Sequence, residues 1–131
     1  MITLRRMEAG IYDPGDDALL DLDGQTLVVD AKSGYWVRFS VKKVEPSAER
    51  PHRLSYSLTL HGPDGQRIIG FDNAHTVRSA AGPGGRKKGP ADHRHRKGAV
   101  RPYRFSGAVS LLEDFWADVD RVLKERGVIQ T

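Results

Sequence analysis

Residues 54–60 read LSYSLTL, with an apolar side chain at every second position. Successive side chains of a β-strand point to opposite faces of a sheet, so this period of two predicts a strand with one face on a core and the other face wetter. It is the most regular alternation in the chain, and the predicted fold is built outward from it.

Further strand signals lie on both sides of this segment. Residues 34–44 alternate in the same way, and residues 67–71 follow a Pro-Asp-Gly turn, in which proline presets φ and glycine supplies the left-handed position. Residues 18–22 and 25–30 are short apolar segments joined by Asp23-Gly24, a favoured two-residue hairpin turn. We therefore predict an antiparallel meander of about five strands, with 101–105 as a candidate sixth strand.

Residues 106–126 are predicted to form a single C-terminal helix. Apolar residues recur there at three- and four-residue spacing, which makes one stripe for packing on a sheet, and Trp116 is expected in that core. Ser106 or Ser110 is expected to be the N-cap, and Gly127 to end the helix. The predicted fold class is α+β, an antiparallel β-meander of five to six strands covered by one C-terminal helix, in a single domain over 1–131.

The composition restricts the compartment and the kinds of site. The chain has no cysteine, which excludes disulfides and thiolate zinc sites and favours a reducing cytoplasm. No apolar run approaches the roughly 20 residues that cross a bilayer, and the first residues lack the apolar core of a signal peptide. We expect a cytoplasmic protein with no membrane partner.

Positive charge is concentrated in one segment. Residues 76–104 hold nine basic residues and one acid, a local charge of +8, against a net charge of +4 for the whole chain. Such an excess favours a polyanionic partner, either RNA, DNA or an acidic protein, although a solvated loop has the same composition. We predict a Gly/Pro-rich basic functional loop over 76–101. The candidate nucleic-acid-binding residues are Asn73, Arg86, Lys87, Lys88, Arg94, Arg96, Lys97, Arg101 and Arg104.

Three of the five histidines fall in or beside this segment, and they suit acid–base chemistry. One imidazole could take the proton of a ribose 2′-hydroxyl while another protonates the leaving 5′-oxygen, because the histidine pKa lies near neutrality. His93 and His95 would face the same side of an extended segment. The candidate catalytic residues are Asp72, His75, His93, His95 and Tyr103.

Other interpretations of the same residues stay open. The histidines could be exposed loop residues without chemistry, or His75, His93 and His95 could form a metal site with Asp72. The basic segment could also bind nucleic acid without turnover. His52 and His61 are not expected to take part in chemistry, and Trp36 is expected in the core or an interface rather than as a platform for bases.

Several short motifs together resemble a known family. They are Phe-Asp-Asn-Ala-His at 71–75, Asp-His-Arg-His at 92–95, Tyr-Arg-Phe at 103–105 and Leu-Glu-Asp-Phe-Trp at 112–116. In this order they resemble the TumE family of toxin–antitoxin proteins, over roughly residues 54–121. Phe71 stands where a tyrosine is common in that pattern.

The resemblance implies a small bacterial or archaeal toxin that is paired with a helix-turn-helix antitoxin and acts on RNA. Combined with the histidines, it predicts a type II toxin that is a metal-independent endoribonuclease without cofactors. The alternatives are a nucleic-acid-binding module without catalysis and a metal-dependent enzyme using the histidines. The expected partners are a cognate antitoxin and RNA, with a homodimer as a candidate assembly.

Overall fold

The computed structural model describes residues 14–73, 92–96 and 98–130. Within these ranges the chain forms one six-stranded sheet and two helices. The elements in chain order are α1 Pro14–Asp21, β1 Thr26–Asp30, β2 Tyr35–Lys43, β3 Leu54–His61, β4 Arg67–Asp72, β5 His93–Arg96, β6 Ala99–Pro102 and α2 Ala108–Glu125. The strands lie in sequence order and every neighbouring pair is antiparallel, so the predicted α+β meander is confirmed.

The register of the central strands separates core residues from site residues. Phe39 pairs with Leu58, and Leu58 pairs with Phe71, so their side chains form one row across β2, β3 and β4. Phe115 of α2 packs edge-on against both Phe39 and Phe71, with ring centroids 5.9 and 6.0 Å apart. We call this side of the sheet the helix face, and the opposite side the far face.

The core lies between the helix face and the two helices. Its fully buried side chains alternate along β2 and β3 and recur on one stripe of α2, as both patterns predict. The largest of them are Tyr56, Phe39, Phe71, Phe115, Leu19, Leu54, Leu58, Leu60, Ile69 and Leu111. None of the helices within the described ranges is long and apolar enough to cross a membrane.

The prediction of a strand at 18–22 was wrong, because these residues belong mostly to helix α1. The helix begins at Pro14. Proline is favoured at this position because the first N–H groups of a helix have no intrahelical partner, so the N–H that proline lacks costs no hydrogen bond. Asp16 and Asp17 lie in the first turn, where the helix dipole favours acidic side chains. Leu19 is fully buried, and α1 packs against α2 and β2. A short apolar segment is compatible with either a strand or a buried helix, so its period alone could not decide.

The turn at Asp23-Gly24 therefore joins a helix to a strand. Gly24 has a φ of 79°, and its N–H donates to the carbonyl of Phe39 at 2.8 Å. The Asp23 carboxylate accepts from the Val41 N–H at 2.8 Å, which lowers the pKa of Asp23. These bonds attach the turn to β2, in place of the hairpin that was predicted.

The segment predicted as a basic loop contains two strands. Residues 93–96 form β5 and residues 99–102 form β6, joined by a tight turn in which Gly98 has a φ of 82°. The sequence His-Arg-His-Arg alternates two polar residue types, so it has no apolar period to reveal a strand. The predicted sixth strand begins two residues earlier than expected and ends at Pro102, on the edge of the sheet. The remainder of the predicted loop, up to residue 91, lies outside the described residues.

The ends of α2 differ in how well they were predicted. Gly107 is the N-cap and makes no side-chain capping bond, so neither Ser106 nor Ser110 fills that role. Gly127 ends the helix as predicted, with a φ of 71°. Its N–H donates to Lys124 and the next N–H donates to Leu123, which is the Schellman arrangement. Trp116 is 37% exposed on α2, so its expected place in the core was wrong.

Replacing Phe115 with alanine should lower the free energy of unfolding by about 3–5 kcal/mol, because the ring is fully buried between Phe39 and Phe71. Val109→Ala is the matched control on the same helix. Val109 is 55% exposed, so its replacement should change stability by less than about 0.5 kcal/mol. Urea unfolding followed by far-UV circular dichroism measures both. Equal losses in the two variants would contradict the packing described for α2.

Candidate functional site

Asp72, His93 and His95 form a cluster on the far face, and we call it the histidine cluster. Asp72 ends β4 and pairs directly with His93 on β5, and His95 follows on the same side of β5. One ligand atom from each residue lies within 4.8 Å of the other two. The two imidazole rings stand edge to face, with centroids 4.7 Å apart. Both histidines therefore share one side of an extended segment, as the His-x-His spacing predicts.

Burial differs within the histidine cluster. Asp72 and His93 are buried, with 7% and 5% exposure, and His95 is partly exposed. Burial lowers the pKa of His95, and the positive charge of Arg67 and the electrostatic influence of His93 lower it further, against an opposing effect of Asp72. Since the ordinary imidazole pKa is about 6.5, His95 is neutral at pH 7 and can accept a proton.

Arg67 also belongs to this site, although the sequence did not indicate it. Its Cδ and the Cδ2 of His95 both approach the Cβ position that Gly70 lacks, at 3.4 and 3.5 Å. Strict alternation along β4 would point Arg67 to the helix face with Ile69. The register shifts between Leu60 and His61, and this β-bulge brings Arg67 to the far face.

A second cluster of polar side chains surrounds Asp92, which directly precedes β5, and we call it the Asp92 network. The Asp92 side chain is fully buried and accepts from the Tyr56 hydroxyl at 2.7 Å. His52 approaches both carboxylate oxygens, at 3.0 and 3.2 Å. The Leu54 N–H can only donate and lies 3.4 Å from Nδ1 of His52, so Nε2 of this ring carries the proton toward Asp92.

His52 contributes to this network in a way that was not foreseen. Its ring stacks on Phe105 at a centroid distance of 4.0 Å, and it reaches Asp92 across 40 residues of sequence. Burial raises the pKa of Tyr56, and its hydrogen bond to Asp92 raises it further, so this hydroxyl stays protonated and remains a donor. The network attaches the start of β5 to β3 and thereby fixes the origin of the strand that carries His93 and His95.

Asn73 is fully buried and acts within the scaffold. Its amide donates to the Leu54 carbonyl at 2.7 Å and accepts from the Tyr56 N–H at 2.8 Å. Its own carbonyl accepts from Nε of Arg50 at 2.8 Å. The side chain predicted to bind nucleic acid is therefore occupied in joining the end of β4 to β3.

Tyr103 lies on the helix face, away from the histidine cluster. Its ring packs edge-on against Phe71 at 5.0 Å, and its hydroxyl donates to Asp114 of α2 at 2.6 Å. Burial raises the pKa of Tyr103, as does its bond to Asp114. The structure thus brings together Asp72, His93 and His95 and leaves Tyr103 on the opposite side of the sheet.

Three of the predicted arginines also lie on the helix face. Arg94 contacts Asp118 at 2.7 Å with its guanidinium 5.2 Å from the centre of the Phe71 ring, and Arg96 contacts Glu125 at 2.8 Å. With Arg101 they line a groove of about 550 Å³ beside β6. Arg104 is exposed. The predicted residues His75, Arg86, Lys87, Lys88 and Lys97 lie outside the described residues.

The family model described as Toxin TumE matches residues 22–123. The chain belongs to the toxin TumE family. No curated protein and no solved structure matches it. The family that the motifs indicated over residues 54–121 is therefore confirmed over a longer range.

The range that matches the TumE family model includes both polar clusters described above. It spans all six strands, the histidine cluster and the Asp92 network, and it ends within α2. Helix α1 lies before its first residue. The histidine cluster and the side chains that contact Asp92 therefore fall in the matched range, whereas Leu19 of the core and Glu125, the partner of Arg96, lie outside it.

The buried Tyr56 bond should matter far more for stability than the exposed Tyr103 bond. Tyr56→Phe should lower the free energy of unfolding by about 1.5–3 kcal/mol, because it removes a donor from a buried carboxylate. Tyr103→Phe removes the same kind of bond to an exposed aspartate and should cost less than about 1 kcal/mol. Urea unfolding of the two variants checks the difference. A larger loss for Tyr103→Phe would show that the Asp92 network does not anchor β5.

Proposed function

We propose that this TumE-family protein is the toxin of a type II toxin–antitoxin module and that it cleaves RNA without a metal ion. The histidine cluster supplies the acid and the base, and the guanidinium of Arg67 beside it holds the phosphate. A cytoplasmic location follows from an RNA target. Membership of a toxin family supports the toxin role, and the geometry of the cluster supports the chemistry.

The position of Arg67 carries the proposal. Its positive charge contributes to lowering the pKa of His95, so the cationic side chain acts directly on the cluster. A guanidinium beside the site attracts a phosphate and repels a metal ion. Burial and, after it, the charge of Arg67 lower the pKa of His95, so this ring is able to act as a base near pH 7. These preferences together favour a phosphodiester as the bound group.

The reaction is a transesterification within the RNA strand. Neutral His95 removes the proton of the ribose 2′-hydroxyl, and the resulting oxygen attacks the adjacent phosphorus. The bond from phosphorus to the 5′-oxygen breaks, and His93 in its protonated form gives that oxygen a proton. The products are a 2′,3′-cyclic phosphate and a free 5′-hydroxyl.

The other nearby residues stabilise the transition state and position the groups that transfer protons. Arg67 stabilises the negative charge that grows on the phosphoryl oxygens in the transition state. Asp72, which pairs with His93 across the β4–β5 ladder, orients that ring for proton transfer. The RNA approaches over His95, which is the most exposed member of the cluster.

A metal-dependent reaction is the second candidate, because two imidazoles and one carboxylate within 4.8 Å also form a donor set for a divalent transition metal. The charge of Arg67 counts against it. Cleavage that is lost in chelator and restored by one divalent metal would establish this candidate instead. A binding module without catalysis would leave RNA chemically unchanged and would show only salt-dependent affinity.

The proposed partner is a cognate antitoxin of the helix-turn-helix class that masks the segment predicted to bind nucleic acid. Binding to the native state raises stability by mass action, so co-expression with such a partner should raise solubility and the melting temperature. A homodimer is the assembly proposed for the free toxin.

Replacing either His93 or His95 with glutamine should reduce RNA cleavage by about 10²–10⁴-fold, since each substitution removes one proton-transfer group. The assay uses single-stranded RNA in excess chelator, and mass spectrometry identifies the product ends. Ser40→Ala is the control. Ser40 is exposed on the same face of the sheet as Asp72 and lies two strands away from it, since Ser57 pairs with both residues. DNA of the same sequence should stay intact because it lacks the 2′-hydroxyl. Cleavage that survives both histidine substitutions would eliminate the mechanism.

The pH dependence of kcat/KM should change when the positive charge of Arg67 is removed. His95 must be neutral to act as the base, so kcat/KM falls as the pH drops through its pKa, which is below the ordinary value of 6.5. Arg67→Gln removes a positive charge that disfavours the imidazolium, so the pKa rises and the acidic limb moves to higher pH. Normalised kcat/KM profiles of the two proteins measure the displacement. An unmoved limb would mean that another group is the base.

A further inference from the structure

A second feature of the far face is an aromatic stack between neighbouring strands. Trp36 on β2 pairs with His61 on β3, and their rings are stacked, with centroids 4.1 Å apart and planes 6° from parallel. Both side chains are partly exposed. Neither contributes to the core, which lies on the other side of the sheet.

Hydrogen bonds hold His61 in this orientation. Its Nδ1 donates to the Gly65 carbonyl at 3.0 Å, and its Nε2 lies 2.9 Å from the Thr59 hydroxyl. A carbonyl only accepts, so Nδ1 carries a proton, and the threonine hydroxyl is the hydrogen-bond partner of Nε2. With both ring nitrogens engaged, His61 is a fixed support for one face of Trp36. A preformed aromatic surface loses little conformational freedom when a ligand stacks on it.

The stack is connected to the histidine cluster by Arg67. This arginine pairs with His61 across the β3–β4 ladder, and it also lies beside His95 at Gly70. Trp36 is three strands away from His95, which corresponds to roughly 14 Å at the usual strand spacing. A strand of RNA with its phosphate at His95 would therefore pass Arg67 before a more distant nucleotide reaches Trp36.

We propose that the Trp36–His61 stack is a binding subsite for an unpaired nucleobase of the RNA substrate, at a nucleotide that is not adjacent to the cleaved bond. This inference rests on the proposed function. It specifies in addition that the substrate is single-stranded and extends beyond the two nucleotides at the cleaved bond. Every base has a π-face, so the subsite selects single-stranded RNA and tolerates any base. Bases in a duplex are already stacked and paired, and they do not enter it.

The two tryptophans of the chain allow a direct binding test with a matched control. In a His95→Gln background, Trp116→Phe leaves Trp36 as the reporter, and Trp36→Phe leaves Trp116, which is exposed on α2. A short single-stranded RNA should quench the fluorescence of Trp36 saturably and leave that of Trp116 unchanged. The same RNA annealed to its complement should produce no saturable quenching. Quenching of Trp116 alone would overturn the inference.

A cleavage test separates the subsite from the chemistry. Trp36→Ala should raise KM for a long oligonucleotide by roughly tenfold, with kcat unchanged, because stacking of one base is lost. Cleavage of a dinucleotide should be unaffected, because that substrate does not reach Trp36. His61→Ala should have a smaller effect in the same direction, since Trp36 loses its support.

The outcomes distinguish this inference from the proposed function. Saturable quenching of Trp36 without any RNA cleavage would support the subsite and remove the catalytic proposal. RNA cleavage with unchanged KM in Trp36→Ala and no quenching of Trp36 would overturn the subsite and leave the catalytic proposal standing. The fluorescence measurement retains the native Trp36, so it remains decisive even if Trp36→Ala does not fold. A fluorescence response to a protein partner alone would also overturn the inference.

Discussion

The alternation of side chains across a sheet that is covered on one side is the constraint on which this structure depends. The row Phe39, Leu58 and Phe71 lies under α2. Each neighbouring row must then project to the far face, which places Asp72 opposite His93. A slip of one residue between β4 and β5 would exchange Arg94 with its histidine neighbours and bring imidazoles into contact with the core. Core packing and the assembly of the histidine cluster therefore require the same register.

The Asp92 network secures that register where hydrophobic contacts are few. Strand β5 has no apolar residue, so burial of its own side chains contributes little to its position. It is held at its start through Asp92, which contacts Tyr56 and His52, and along its length through ion pairs of Arg94 and Arg96 with α2. Every buried side-chain nitrogen or oxygen in the described part of the chain has a hydrogen-bond partner. Satisfied polar networks of this kind specify one arrangement of the chain, because any alternative would leave buried groups without partners.

Elements whose apolar residues pack on the core could mostly be predicted from the sequence, whereas the strand that polar contacts hold in place could not. Strands β2 and β3 and helix α2 could be predicted because their apolar residues repeat with the period of the element, and β4 could be predicted because a Pro-Asp-Gly turn precedes its apolar residues. Helix α1 was mistaken for a strand because residues 18–22 are too short to show a helical period. Strand β5 was missed because arginine alternates with histidine there, and its position depends on partners distant in the sequence.

The candidate site was predictable to a similar extent. The residue types and the His-x-His spacing were sufficient to group Asp72, His93 and His95. Arg67 was missed because a bulge reverses the side to which it points, and a bulge has no apolar signature. The roles of Asn73 and Tyr103 within the scaffold depend on contacts that become visible only when β3, β4 and α2 are in place.

The proline at the end of β6 has a consequence for how the protein behaves at high concentration. An edge strand normally offers a ladder of N–H and carbonyl groups on which a second chain can grow. Pro102 has no N–H to offer, and Arg101 adds an exposed charge beside it. Lateral growth of sheet on sheet is therefore interrupted at this border, and the protein is protected there against fibre formation.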